Sequence, residues 1–134
     1  MHGPEDILQG RNVLLVDDDP RNIFALYSYL AGIGMEIYTA ENGIQALNFL
    51  EKHPETDIVL MDMMMPEMDG YEAIAIIRKN DKLYNLPVIA VTAKAMKGDR
   101  EKCLETGASE YVSKPINLKE LLEKMVGVLT QKLQ

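Results

Sequence analysis

The chain contains a single cysteine, Cys103. That excludes a disulfide framework and any cysteine-built metal knuckle, and it suits a reducing, cytoplasmic setting. No apolar run approaches ~18 residues and no signal-peptide pattern opens the sequence, so a soluble chain with no membrane contact is expected. Basic residues are in deficit: 14 Lys and Arg stand against 21 Asp and Glu, a net charge of −7. A balance this acidic argues against direct nucleic-acid binding. Internal repeats and low-complexity segments are missing as well. What remains is ordinary for one globular domain: 134 residues, 47% hydrophobic and 26% charged, enough to bury a core without staples.

Met1 to Gly10 is polar, with Gly3, Pro4 and Gly10, and reads as a tail or linker ahead of a domain over 11–134. Val13-Leu14-Leu15-Val16 is a continuous apolar run of the kind that forms a strand buried on both faces. It stops on Asp17, Asp18 and Asp19. Pro20 suits the first helical position with Asp19 as N-cap, and Ile23, Phe24, Leu26, Tyr27 and Leu30 recur at helical spacing until Gly32 and Gly34.

Met35 to Ala40 has a β-rich composition, and after Asn42-Gly43 the residues Ile44, Leu47 and Leu50 mark a second helix. The third strand is Ile58 to Met61, closed by Asp62. Pro66 and Asp69-Gly70 give its loop turn chemistry before a helix over Tyr71 to Lys79. Val88 to Val91 is the fourth strand, ending on Thr92, and a polar helix follows over about 97–105. Glu110 to Ser113 is the fifth strand, stopped by Lys114-Pro115. Asn117 and Glu120 then start a last helix with a stripe from Leu118 to Leu129. Five strands alternating with five helices predict an α/β fold, a parallel sheet covered on both faces.

In such a sheet all strand C-termini share one edge, which collects Asp17, Asp18, Asp62, Thr92 and Lys114. Two carboxylates ~4 Å apart at an effective dielectric of ~20 repel by about 4 kcal/mol, so three together call for a proton or a cation. A hard divalent ion with oxygen ligands, Mg²⁺ above all, fits. Three acids, a metal, an ammonium and a hydroxyl make a phosphoryl-transfer set with a carboxylate nucleophile.

The segments Val16-Asp17-Asp18-Asp19, Leu60-Met61-Asp62-Met63-Met64-Met65-Pro66-Glu67-Met68-Asp69-Gly70, Val91-Thr92-Ala93 and Tyr111-Val112-Ser113-Lys114-Pro115 occur in this order. In these motifs and their spacing, over Arg11 to about Leu129, the chain resembles the receiver domain of two-component response regulators. The resemblance implies a flavodoxin-like (βα)5 doubly wound sheet of order 2-1-3-4-5. It implies that Asp62 accepts a phosphoryl group from phosphohistidine. Asp17 and Asp18 correspond to the metal-binding pair, Asp18 as the direct ligand, and Asp62 and the Met64 backbone carbonyl complete the protein ligands for Mg²⁺ (Mn²⁺ can substitute). Thr92 corresponds to the switch hydroxyl, Lys114 to the phosphoryl counter-ion and Tyr111 to the switch aromatic. Met64 and Lys94 occupy the positions that tune phosphoryl lifetime. The Lys114-Pro115 bond is expected cis, which would aim Lys114 into the crevice.

The implied partners are a histidine kinase or a histidine phosphotransfer protein, with a phosphorylation-dependent dimer left open. The signal would leave through the fourth helix, fifth strand and fifth helix. The Leu8 to Asn12 opening and the Thr92 to Met96 stretch resemble receivers of hybrid histidine kinases. Such a domain would catalyse its own phosphorylation and dephosphorylation rather than turn over a substrate.

Two other readings stand beside this one. An aspartyl phosphohydrolase needs an acid two residues beyond its nucleophile, where this chain has Met64. A flavodoxin-like binding module needs a phosphate-cradling first loop, where this chain has Asp17 to Asp19. Blander readings cover the rest: Cys103 and the Met63-Met64-Met65 run as packing, His53 as a solvated helix end, Asp19 as a cap, and Glu67 and Asp69 as loop solvation.

Overall fold

In the computed structural model, residues 3–93 and 98–132 are described. The elements run α1 (Pro4–Leu8), β1 (Asn12–Val16), α2 (Pro20–Ile33), β2 (Glu36–Ala40), α3 (Gly43–Lys52), β3 (Ile58–Asp62), α4 (Gly70–Lys79), β4 (Val88–Thr92), α5 (Asp99–Thr106), β5 (Glu110–Ser113) and α6 (Leu118–Lys132). The five strands are parallel, in the order β2-β1-β3-β4-β5. This is the flavodoxin-like order expected. Position in the sheet accounts for the strand sequences. Every residue of central β3 and β4 is buried, as their unbroken apolar runs require, whereas edge strand β2 exposes Glu36, Tyr38 and Thr39.

Side-chain alternation divides the core in two. Leu14, Val16, Val59, Met61, Val88 and Ala90 point to one face, where Ala46, Leu50, Ile74, Ile77 and Cys103 from α3, α4 and α5 meet them. Val13, Leu15, Ile58, Leu60, Ile89 and Val91 point to the other, against Leu8, Leu26, Leu30, Leu121, Met125 and Leu129 from α1, α2 and α6. The helix leaving β1 and the helix leaving β3 therefore cover opposite faces. A crevice opens between the C-terminal ends of these two neighbouring strands.

The tail or linker expected over residues 1–10 needs correction. Pro4–Leu8 is a helix, and Leu8 is fully buried in the core beneath α6. Gly10 N–H donates to the Gly34 carbonyl (2.8 Å), and Arg11 Nε donates to the Ile7 carbonyl (3.2 Å), so this turn is fastened to the domain. A single helical turn has room for only one inward side chain and carries no readable period. The helix expected over about 97–105 begins at Asp99 as α5; Lys94 and Lys97 lie outside the described residues. Cys103 is buried, consistent with packing.

Candidate functional site

β1 ends at Val16, and Asp17 is held just beyond it. Its Oδ1 accepts the Asp19 N–H (2.8 Å) and its Oδ2 accepts from Asn22 Nδ2 (3.3 Å). Asp19 in turn caps α2, accepting the Arg21 N–H at 2.9 Å. The second acid, Asp18, is exposed to solvent. Asp62 is the last residue of β3, directly beside Val91 in the ladder, and its Oδ1 accepts the Met64 N–H at 3.1 Å. Carboxylate oxygens of Asp17, Asp18 and Asp62 all lie within 4.8 Å of one another.

One ammonium faces this group. Lys114 Nζ lies 3.5 Å from Asp17 Oδ2 and 3.6 Å from Asp62 Oδ2, and the Lys114-Pro115 bond is cis. The Lys114 backbone N–H donates to the Thr92 carbonyl (2.7 Å), which ties the end of β5 to the end of β4. Thr92 is buried, and it lines a pocket together with Met63, Met64 and Tyr71. The sequence-predicted residues Asp17, Asp18, Asp62, Thr92 and Lys114 thus gather on one edge. Met64 projects an exposed side chain beside them. Tyr111 is half-buried in β5, paired with Ala90 and packed against the α3–α4–α5 core. Lys94 lies outside the described residues.

Among the described residues the charges do not balance: three carboxylates cluster, and Lys114 lies against two of them. Burial pushes the Asp62 carboxyl up to about 6. The Met64 N–H opposes that rise, Asp17 adds to it, Lys114 opposes it and Asp18 adds again. A cluster of oxygen donors at this spacing with surplus negative charge fits a hard divalent cation such as Mg²⁺.

The loop after Asp62 is held by close backbone approach. Gly70 N–H donates to the Met63 carbonyl (3.3 Å), and a Cβ on Gly70 would lie 2.7 Å from the Asp62 carbonyl oxygen and 2.6 Å from Met63 Sδ. Only glycine lets the chain double back there. From the other side, Gly43 at the start of α3 donates its N–H to the Met68 carbonyl at 3.2 Å. Asp69 caps α4, accepting the Glu72 N–H at 3.0 Å, rather than serving as loop solvation. Asn22 was missed in the sequence. Its one signal is its place in the first turn of α2, five residues after Asp17, where a side chain can reach back to the strand end.

Residues 13–126 match the family model described as the response regulator receiver domain. The chain is 35% identical over 119 residues to the polar-differentiation response regulator DivK of Brucella anthropi, covering 89% of this chain and 96% of that protein. It is similar to the receiver domain of sensor histidine kinase PA1611 from Pseudomonas aeruginosa PAO1, a crystal structure with a magnesium ion coordinated in the active site cleft. The TM-score is 0.78 and the identity 36%, over 88% of this chain and 98% of that one. It also matches the co-crystal structure of the Saccharomyces cerevisiae histidine phosphotransfer signaling protein Ypd1 and the receiver domain of its downstream response regulator Ssk1, with a TM-score of 0.85 and 27% identity over 93% and 92% of the two chains. With its strand order and acidic edge, the chain belongs to the response regulator receiver family, the phospho-accepting domains of two-component signalling.

Proposed function

We propose that Asp62 takes a phosphoryl group from a partner's phosphohistidine. The observation that carries this reading is the convergence of Asp17, Asp18 and Asp62 within 4.8 Å, with Lys114 against Asp17 and Asp62. Asp17, Asp18, Asp62 and the Met64 carbonyl would hold Mg²⁺. When bound, Mg²⁺ offsets the carboxylate repulsion and neutralises charge on the phosphoryl oxygens. With its carboxyl raised only to about 6, Asp62 is mostly ionised at neutral pH and needs no general base. One of its oxygens forms a bond to phosphorus as the P–N bond breaks, and that electron pair returns to the donor's imidazole. Lys114, already 3.6 Å from Asp62, stabilises the charge that spreads over the transferring oxygens.

The donor has a place to sit. Beside Lys114, Ala25 and Leu26 of α2 with Pro115, Ile116 and Leu118 line an open groove of ≈ 280 Å³. A histidine kinase or phosphotransfer protein presenting an apolar helix next to its phosphohistidine matches this surface.

Once formed, the acyl phosphate recruits the Thr92 hydroxyl, and Tyr111 moves into the space this opens, changing the α5–β5–α6 surface. A bias of a few kcal/mol from phosphoryl contacts is enough for such a population shift. Met64 has no side-chain group to orient water, so the phosphoryl group is held long; a lifetime of seconds in the purified protein contradicts this. The assignment is tested with Asp62→Asn and a phosphorylated donor. Base-labile label on the wild type and none on the variant is expected; base-labile label on the variant overturns the assignment. Thr92→Ala should accept label and lose the surface response.

A further inference from the structure

We propose that Lys124 is a positioning residue for Tyr111, holding its ring in the phosphoryl-free position and so setting the threshold of the switch. The proposal rests on Tyr111 being the switch aromatic. Lys124 lies on the face of α6 that covers β5. Its Nζ donates to the Tyr111 carbonyl at 2.5 Å and lies 5.1 Å from the centre of the Tyr111 ring. Two acids hold the ammonium there: Glu120 Oε1 at 3.3 Å, one helical turn away, and Glu110 Oε1 at 3.8 Å. The same Glu110 oxygen accepts the Tyr111 N–H at 3.1 Å. Tyr111 is therefore gripped through its N–H, its carbonyl and its ring by one connected group of three side chains.

These contacts differ in what they restrain. The carbonyl bond and the two ion pairs fix the ammonium whatever the ring does. The ring contact exists only while the ring stays where it is, because the attraction falls away beyond about 6 Å from the ring centre. The fixed charge consequently favours one ring position over any other. The Lys124 side chain is 25% exposed, so a modest preference of about two- to fivefold in the equilibrium is expected. By linkage, whatever favours the resting ring position opposes the phosphoryl group by the same factor.

The test uses beryllofluoride with Mg²⁺ as a phosphoryl mimic on the full chain. The readout is the NMR signal of the Tyr111 ring, assigned with Tyr111→Phe. Lys124→Met removes the charge and keeps the apolar stem; Lys124→Arg restores the charge; Lys119→Met is a charge control on the same helix. In Lys124→Met, the free protein's ring signal should move part of the way toward its beryllofluoride-bound position. The mimic's midpoint should fall about two- to fivefold. Lys124→Arg and Lys119→Met should stay at the wild-type values, and Glu120→Gln should move in the Lys124→Met direction by less. If the wild-type ring responds to the mimic and Lys124→Met leaves both ring signal and midpoint unchanged, the tie is overturned alone. A wild-type ring that never responds overturns the switch role of Tyr111, and the tie with it.

Discussion

At the N-terminal end of the β1–β3 pair, Asp57 is matched by its surroundings. Arg11 lies 3.6 Å from one of its oxygens, and the Asn12 N–H donates to the other at 2.7 Å. At the opposite end of the same two strands, Asp17, Asp18 and Asp62 crowd within 4.8 Å, with Lys114 3.5 Å from Asp17 and 3.6 Å from Asp62. One end is balanced and fastens the strands together. The other crowds like charges at a cost in stability, and the proposed cation binding and phosphoryl transfer draw on that crowding. Residue type does not separate the two aspartates; burial first, and then the competing charges around them, do.

The comparison breaks most sharply at Lys114. Lys114→Met should slow phosphoryl uptake by about 10²- to 10³-fold, measured with a saturating labelled donor, because the ammonium beside Asp62 is lost. Next, the same substitution at the two ends should have opposite signs in metal-free urea unfolding. Asp57→Asn should destabilise by about 1–2 kcal/mol while phosphoryl uptake stays within about twofold, since it gives up a charge-assisted bond and a partly exposed ion pair. Asp62→Asn should stabilise, since it removes one repelling charge. Equal signs would sink the contrast. Magnesium should raise the melting temperature of wild type and Asp57→Asn alike, and that of Asp62→Asn less.

A further effect is in pH. Asp62 has its carboxyl raised above the ordinary aspartate value to about 6, so between about 4 and 6 the folded protein binds this proton more tightly than the unfolded chain does. Its contribution is fully present below about 4 and is lost as pH rises through about 6. Metal-free wild type should therefore lose stability relative to Asp62→Asn across that window. A difference that stays flat from pH 4 to 7 contradicts the assigned shift.

The parts of this molecule legible in its sequence are those set by local chemistry. Ile58 to Met61 reads as a buried strand because a central parallel strand has no solvent face, and Asp19 and Asn117 read as helix starts because each side chain caps its own helix. The site was legible because the fold brings all strand ends to one edge, so Asp17, Asp62, Thr92 and Lys114 could be collected without coordinates. What stayed hidden depends on long-range contact. Leu8 shows no period, yet it is in the core. Arg78 looks like a surface arginine at a helix end. It instead donates to the Gly107, Tyr84 and Leu86 carbonyls and to Ser109 Oγ, clamping three segments. Lys124 belongs to the same class: its side chain acquires meaning only where α6 crosses β5.

The most direct test of the central claim is to locate the phosphoryl group. The chain would be incubated with a phosphohistidine donor and Mg²⁺, the acyl phosphate reduced with borohydride, and the modified residue read by mass spectrometry. The account predicts that residue 62 alone appears as homoserine, and that nothing is modified when the donor is unphosphorylated. Modification at Asp17, Asp18 or Asp57 in place of Asp62, or a phosphoryl group retained on His53, would contradict it.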